Sequence, residues 1–364
     1  MEKKYKIILT GGHLAPLLAV YEVLSNKVNC VIVGRKHTFE ADKAESLEYA
    51  LFKKENIPFY NLPAARFQRK FTKHTLPSLF RSPRALIKAR NVLNHENPDV
   101  VLTFGGYIGF PVALAAYMKG IPVVLHEQTL RAGLTNRTIG KIATKICISY
   151  STSARFFPSE KTVVTGNPVR PEVFKVYESF KLPSGLPVLY VTGGSAGAHA
   201  INTIIEYILP ELLRNFVVIH QTGDAREFSD YERLTKLRNS LSGELKSRYL
   251  IKKFILPEEI GGVYKQADVV LSRAGANTVS ELIALRKRAL LIPLPFGQQE
   301  EQLENAKYYE NTNLGEYILQ KNVNLNILVK KLLSIRELKT HSMPSFKNDG
   351  AEKIAREVFT ILEK

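Results

Sequence analysis

Short apolar runs set between longer amphipathic ones constrain this chain more than any other feature. Runs of Val, Ile and Leu about five or six residues long alternate with amphipathic stretches of about ten to fifteen, the pattern of parallel strands joined by crossover helices. Strands are read at Tyr5–Thr10, Val28–Gly34, Val100–Phe104, Pro122–His126 and Lys145–Ser149. After a break they resume at Pro187–Thr192, Phe216–Gln221, Tyr249–Phe254, Asp268–Leu271 and Ala289–Pro293. The expectation is an α/β protein of two doubly wound halves, and 364 residues suffice for two cores of ordinary size.

The break lies at Thr165–Phe174, TGNPVRPEVF, and continues through a polar, proline-bearing stretch to Pro187. Domains are therefore expected at 1–165 and 187–343, with 166–186 as a linker. The last segment, 344–364, reads as a linker and a helix able to pack back on the N-terminal domain. Open α/β sheets bind ligands outside the carboxyl ends of their strands, so two Rossmann-like halves facing each other would make an interdomain cleft.

Glycine loops close several of these strands: TGGH at Thr10–His13, FGGYIG at Phe104–Gly109 and TGGSAGA at Thr192–Ala198. None is a Walker loop, because no lysine and Ser/Thr follow at the required spacing. GGSAGA is not the dinucleotide fingerprint either, since its spacing is broken and the next strand carries no acid at its end. One such loop reads as a tight turn; three together point to close backbone approach by a ligand, which glycine permits.

The most specific stretch is ADVVLSRAGANTVSE, Ala267–Glu281. Val269–Leu271 reads as a buried strand, and Gly275 turns the chain into a helix beginning near Ala276 or Asn277. Free N–H groups at a helix start, reinforced by the macrodipole, form an anion site. Glu281 follows about one turn on, where its carboxylate either accepts two ribose hydroxyls beside that anion or complements the helix dipole. The first alternative makes the pair a nucleotide clamp.

Other candidates sit at strand ends or on the break. His13 closes the first loop and heads the first helix, in place for a general base or an anion contact. His126 and Glu127 lie at the end of the Pro122–His126 strand. Arg170 on the linker could pair with a diphosphate bidentately, or form an exposed salt bridge. The chain has no D-x-D pair to bridge a metal to a diphosphate, so no cofactor is expected, with a non-obligate divalent cation left open. Leaving-group charge then falls to helix N-termini and Arg170.

The net charge of +17 calls for an acidic partner, and nucleic acid, anionic lipid and phosphorylated substrates all qualify. Arg66–Arg90 holds eight lysines or arginines and no acid, interleaved with Phe67, Phe71, Leu76, Leu79 and Phe80. A solvated basic helix explains the charge but not the apolar residues. A surface that dips into an anionic bilayer explains both, each basic residue contributing ~1 kcal/mol near the lipid. Val100–Met118 is uncharged over about the length of a membrane span, but Gly105, Gly106, Gly109 and Pro111 divide it into strand, loop and helix. Cys30 and Cys147 lie in apolar runs, as reduced core thiols do. Met1-Glu2-Lys3-Lys4 leads directly into YKIILT, so no signal peptide is expected and the cytosolic side is the expected location.

Taken together, these motifs resemble the MurG family of bacterial N-acetylglucosaminyltransferases. The likeness runs in order through TGGH, FGGYIGFP, IPVVLHEQ, AGLTNR, TGNPVR, GGSAGA, SRAGANTVSEL and IPLPFGQQEEQLENA. The resemblance implies a GT-B fold, with an N-terminal acceptor domain and a C-terminal donor domain. It also implies transfer of N-acetylglucosamine from its UDP donor to undecaprenyl-diphosphate-linked muramyl-pentapeptide, in peptidoglycan synthesis that supports cell shape and division. By that matching Glu281 would hold the ribose, Ala276, Asn277 and Thr278 would lie near the diphosphate, and Val279 and Ser280 would belong to the same donor-binding stretch. Ile255 would lie against uracil, Ser195 and Arg170 near the diphosphate, and Gln302 on the sugar hydroxyls. Thr10, Gly11, Gly12 and Thr129 would complete the donor side. His13 would be the base, and Gly105, Gly106 and Tyr107 would face the acceptor. Phe67, Phe71, Leu79 and Phe80 would meet the membrane, peripherally and on its cytoplasmic face.

Four features depart from the family pattern. HEQN reads HEQT at Thr129, GGSQGA reads GGSAGA at Ala196, Glu301 stands where Gln or His is usual, and the first glycine loop is shorter. Two other functions are weighed. A UDP-sugar 2-epimerase of the same fold would not need the basic apolar stretch, and a nucleic-acid-binding protein is favoured only by charge and lacks a recognised module.

Overall fold

The computed structural model describes residues 4–11, 13–36, 47–62, 75–194, 197–224, 227–295, 300–338 and 348–363, and of 47, 48, 50 and 75–82 the backbone alone. They fall into two compact units, Met1–Arg170 with Asn348–Lys364, and Pro171–Lys347.

The first unit carries β1 (Lys6–Thr10), α1 (Leu14–Ser25), β2 (Asn29–Gly34), α2 (Leu47–Lys54), β3 (Phe59–Asn61), α3 (Thr75–Glu96) and β4 (Val100–Thr103). It continues through α4 (Gly106–Met118), β5 (Val123–Glu127), α5 (Leu134–Ile142), β6 (Lys145–Ile148) and β7 (Thr162–Val164). Its seven strands are all parallel, in the order β3-β2-β1-β4-β5-β6-β7. Helices cover both faces, so the central strands are buried along their whole length and read as continuous apolar runs rather than alternating ones.

The second unit carries β8 (Val188–Thr192), α6 (His199–Asn215), β9 (Val217–Gln221), α7 (Asp230–Ser240), α8 (Gly243–Ser247), β10 (Tyr249–Lys252) and α9 (Pro257–Gln266). Then come β11 (Val269–Ser272), α10 (Ala276–Ala284), β12 (Arg288–Leu291), α11 (Glu301–Glu310), β13 (Gly315–Tyr317) and α12 (Leu325–Arg336). Its parallel sheet runs β10-β9-β8-β11-β12-β13.

The ten strands read from sequence are present, and β3, β7 and β13 add to them. Each of the added strands is three residues long and mostly half-buried at a sheet edge, too short to carry a period. A second correction concerns FGGYIG, expected as a loop up to Gly109. The turn is only Gly105 and Gly106, both left-handed at φ 78° and 71°, and α4 already begins at Gly106. That helix is short, and among the described residues no helix is long and apolar enough to cross a membrane.

The expected linker divides between the units. Residues 171–180 pack on α9, where a Cβ on Gly261 would stand 1.9 Å from the Lys175 carbonyl oxygen and one on Gly262 1.8 Å from that of Glu178. Phe180 also exchanges two hydrogen bonds with the Gln266 side chain. The terminal helix α13 (Gly350–Leu362) belongs to the first unit, burying Ala351, Ile354, Ala355 and Val358 with Leu17, Val20 and Leu24 of α1. Lys145 of β6 pairs with Glu357 on it at 3.1 Å. Cys147 is buried and Cys30 half-buried, and neither is in a disulfide.

Candidate active site

In each sheet the chain returns to the middle and reverses its direction of winding, between β1 and β4 in the first and between β8 and β11 in the second. Such switch points leave a crevice at the strands' carboxyl ends. The glycine loops of the sequence lie at these two places.

At the first switch point stand the residues following β1 and β4. Gly11 continues the β1 ladder, its N–H donating to the Val33 carbonyl at 2.7 Å. Thr10 is wholly buried, its hydroxyl paired with that of Thr103 at 2.8 Å, so it braces the loop from beneath. Thr103 Oγ1 also accepts the Gly105 N–H at 3.1 Å. His13 caps α1 with its Nδ1 buried and without a hydrogen-bond partner, and burial pulls its imidazole down to about 4. Its Cε1 lies 3.9 Å from where a Cβ on Gly106 would stand, so the histidine and the FGGY loop share one place.

Beneath that loop is a polar cluster. Glu127 is buried; its Oε1 accepts the Thr129 N–H at 2.8 Å and hydroxyl at 2.7 Å, and its Oε2 accepts the Asn136 amide at 2.9 Å. Burial pushes the Glu127 carboxyl up, while bonds from Thr129, Asn136 and the Gly133 backbone draw it back. Thr129, expected beside the donor, is itself buried, with its hydroxyl held by Glu127 and the Arg131 carbonyl. The single hydroxyl hydrogen is shared between these two acceptors. Asn136 and Arg35 escaped the sequence reading. Arg35, just past β2, donates to the Tyr107 hydroxyl at 2.8 Å, its guanidinium 5.4 Å from the ring centre; the sheet order sets β2 and β4 on either side of β1, and the arginine reaches across from one to the other.

The second switch point joins the loop after β8 to the start of α10. Gly194 and Gly197 are left-handed, at φ 80° and 79°, and a Cβ on Gly193 would meet the Ala198 nitrogen at 2.3 Å, so side chains are excluded there. Helix α10 opens at Ala276 with the first ladder bond from Val279 N–H to the Gly275 carbonyl. The N–H groups ahead of that bond have no intrahelical acceptor. Val279 is buried, and Ser280 donates back to the Ala276 carbonyl at 2.9 Å, leaving Asn277 and Thr278 half-exposed on this turn. Glu281 is beyond the first turn, which holds no acid, so the helix-dipole alternative is set aside. Its Oε2 accepts the Tyr264 hydroxyl at 2.9 Å, both groups buried.

Around this turn, Gln302 on α11 accepts the Leu294 N–H at 3.0 Å and steadies the chain after β12. Ile255 is half-buried between the exposed Phe254 and Leu256. Arg273, another residue sequence reading passed over, is buried and donates to the Ile292 and Pro293 carbonyls and to Gln320. Burial holds its guanidinium below the usual range. Its signal was a charged residue directly after an apolar strand. Arg170 is half-buried at the end of the first unit. Gly12, Ser195, Phe67 and Phe71 lie outside the described residues, as do the side chains of Leu79 and Phe80.

Two doubly wound sheets, each with a glycine turn and a helix N-terminus at its switch point, make up a GT-B fold, and the family matched by both halves makes this a glycosyltransferase of that fold. Residues 8–148 match the glycosyltransferase family 28 N-terminal domain and 188–358 its C-terminal domain. The chain is 30% identical, over all of its length and 99% of the relative's, to a Clostridium perfringens UDP-N-acetylglucosamine--N-acetylmuramyl-(pentapeptide) pyrophosphoryl-undecaprenol N-acetylglucosamine transferase. It is 33% identical to the Thermodesulfovibrio yellowstonii protein of the same name, covering 98% and 97%. This chain belongs to the MurG family. Among solved structures, Acinetobacter baumannii MurG superposes with a TM-score of 0.67 at 24% identity, covering 99% and 100%. The UDP-GlcNAc 2-epimerase of Methanocaldococcus jannaschii shares the fold at 0.65 and 16%, covering 98% and 99%.

Proposed function

We propose that this protein transfers N-acetylglucosamine from UDP-N-acetylglucosamine to the 4-hydroxyl of undecaprenyl-diphosphate-linked N-acetylmuramyl-pentapeptide, turning lipid I into lipid II in peptidoglycan synthesis. The observation that carries this is 30% identity, over the whole length of the chain, to a relative bearing that name. The 2-epimerase shares the fold at about half that identity, so the transferase is favoured over it.

In this reading the acceptor oxygen attacks the anomeric carbon, the bond from that carbon to the UDP oxygen breaks, and the bonding pair leaves with UDP. Attack from the opposite face inverts the centre and gives a β-1,4 linkage. His13 takes the acceptor proton; burial keeps the ring neutral at physiological pH, the form a base requires. Gly105, Gly106 and Tyr107 receive the acceptor. Glu281 accepts the ribose hydroxyls, and the α10 N-terminus and glycine loop meet the diphosphate.

The enzyme works at the cytoplasmic membrane surface without crossing it. Exposed Ile87 of α3 and Tyr117 and Met118 of α4, two helices that pack together, stand among exposed Arg84, Lys88, Arg90 and Lys119, which suits an anionic bilayer. Assaying UDP release with and without lipid-linked acceptor tests the assignment. Release that depends on acceptor supports transfer; acceptor-independent conversion of the donor sugar would make it an epimerase.

A further inference from the structure

We propose that Tyr264 is a positioning residue for the donor: it holds the Glu281 carboxylate toward the ribose and, through Tyr190 and Gln221, ties that carboxylate to the Gly194 loop. The proposal rests on the reading of Glu281 as the ribose acid and names what keeps that acid in place.

The geometry is a continuous chain across the second sheet. The Tyr264 hydroxyl on α9 donates to Glu281 Oε2 on α10 at 2.9 Å. The Tyr264 ring meets Tyr190 of β8 edge to face, centres 5.7 Å apart and planes at 89°. The Tyr190 hydroxyl donates to Gln221 Oε1 of β9 at 2.8 Å, which turns the amide so that its Nε2 donates to the Gly194 carbonyl at 3.2 Å. Tyr190, Tyr264, Gln221 and Glu281 are all buried.

Two features suit this chain to positioning. A buried carboxylate needs hydrogen-bond donors. A tyrosine hydroxyl supplies one without cancelling the charge, and a carboxylate has acceptor capacity for several donors, ribose hydroxyls among them. The helix bearing Tyr264 is also fixed: the backbone of 175 and 178 crosses so close to Gly261 and Gly262 that no side chain fits between. The carboxylate is therefore aimed by a rigid element, and Gly194 takes its place from the same chain of contacts.

Calorimetric titration of Tyr264→Phe, Tyr190→Phe and Glu281→Gln with UDP, 2′-deoxy-UDP and uridine tests the proposal, with thermal melts confirming folding. Normal protein should prefer UDP to 2′-deoxy-UDP. Tyr264→Phe should weaken UDP by about 3- to 10-fold and shrink that preference, with turnover at saturating donor nearly unchanged. Loss of a merely structural contact would weaken both ligands alike. Tyr190→Phe should weaken UDP but not uridine, because the loop it steadies meets the diphosphate. If Glu281→Gln loses the preference while Tyr264→Phe keeps it in full, the positioning role is wrong and the ribose assignment stands. If Glu281→Gln also keeps it, both fall. Should Tyr264→Phe not fold, equal weakening of UDP and uridine by Tyr190→Phe overturns the proposal.

Discussion

The Asn136 amide joins the Glu127 carboxylate to the first peptide of α4, its Nδ2 donating to Oε2 at 2.9 Å and its Oδ1 accepting the Gly106 N–H at 3.1 Å. Asn136→Ala leaves a buried carboxylate short of a donor and a loop N–H short of an acceptor. Each such loss costs about 1–3 kcal/mol, so melting should come several degrees lower and the acceptor's KM should rise. Asn136→Asp sets a second carboxylate against Glu127 and should be worse. A melting curve unchanged in both variants contradicts the role.

Glu281→Ala should weaken UDP binding by roughly 10- to 100-fold, the loss of charge-assisted bonds worth about 1.5–3 kcal/mol. Titration calorimetry reads it directly. Unchanged affinity in a folded variant would leave Glu281 a structural partner of Tyr264.

His13→Ala should lower turnover by ~10²–10⁴-fold with donor affinity little changed. A free histidine would lose activity on acidification near 6.5, but burial lowers His13 to about 4. The neutral, proton-accepting form therefore persists below 6.5, and the acid limb governed by His13 should fall near pH 4. Turnover of His13→Ala that is normal at saturating acceptor would end the base assignment in favour of an acceptor contact.

His126 and His220 are buried neutral and lowered to about 3 from 6.5, burial being the main cause in each. The unfolded chain then binds more protons than the folded one between those values, so stability is full above pH 6.5 and declines as pH falls toward about 3. Tm measured across that window should drop, and His220→Gln should flatten part of the slope. A Tm independent of pH there contradicts the linkage.

Sedimentation with anionic vesicles should carry the protein down, less so as salt rises. Phe71, Leu79 and Phe80 changed together to serine should reduce it. Equal binding to neutral vesicles at high salt would exclude the electrostatic part.

The strand-and-helix alternation by itself determined two α/β halves, because strands buried on both faces must be apolar throughout. The glycine loops and Ala267–Glu281 likewise marked the strand ends where a nucleotide could sit, since a tight turn and a helix start are local properties. Other matters lay beyond local pattern. The three short edge strands are fixed by pairing rather than period. That α13 packs on α1 is decided by which apolar face finds a partner across the chain. The partners of the marked residues came only from tertiary structure: Tyr264 for Glu281, Asn136 for Glu127, Arg35 for Tyr107. The burial that lowers His13 is tertiary as well. A residue type states what a side chain can donate or accept, and only the packing of distant elements decides which group it meets and how much water it keeps.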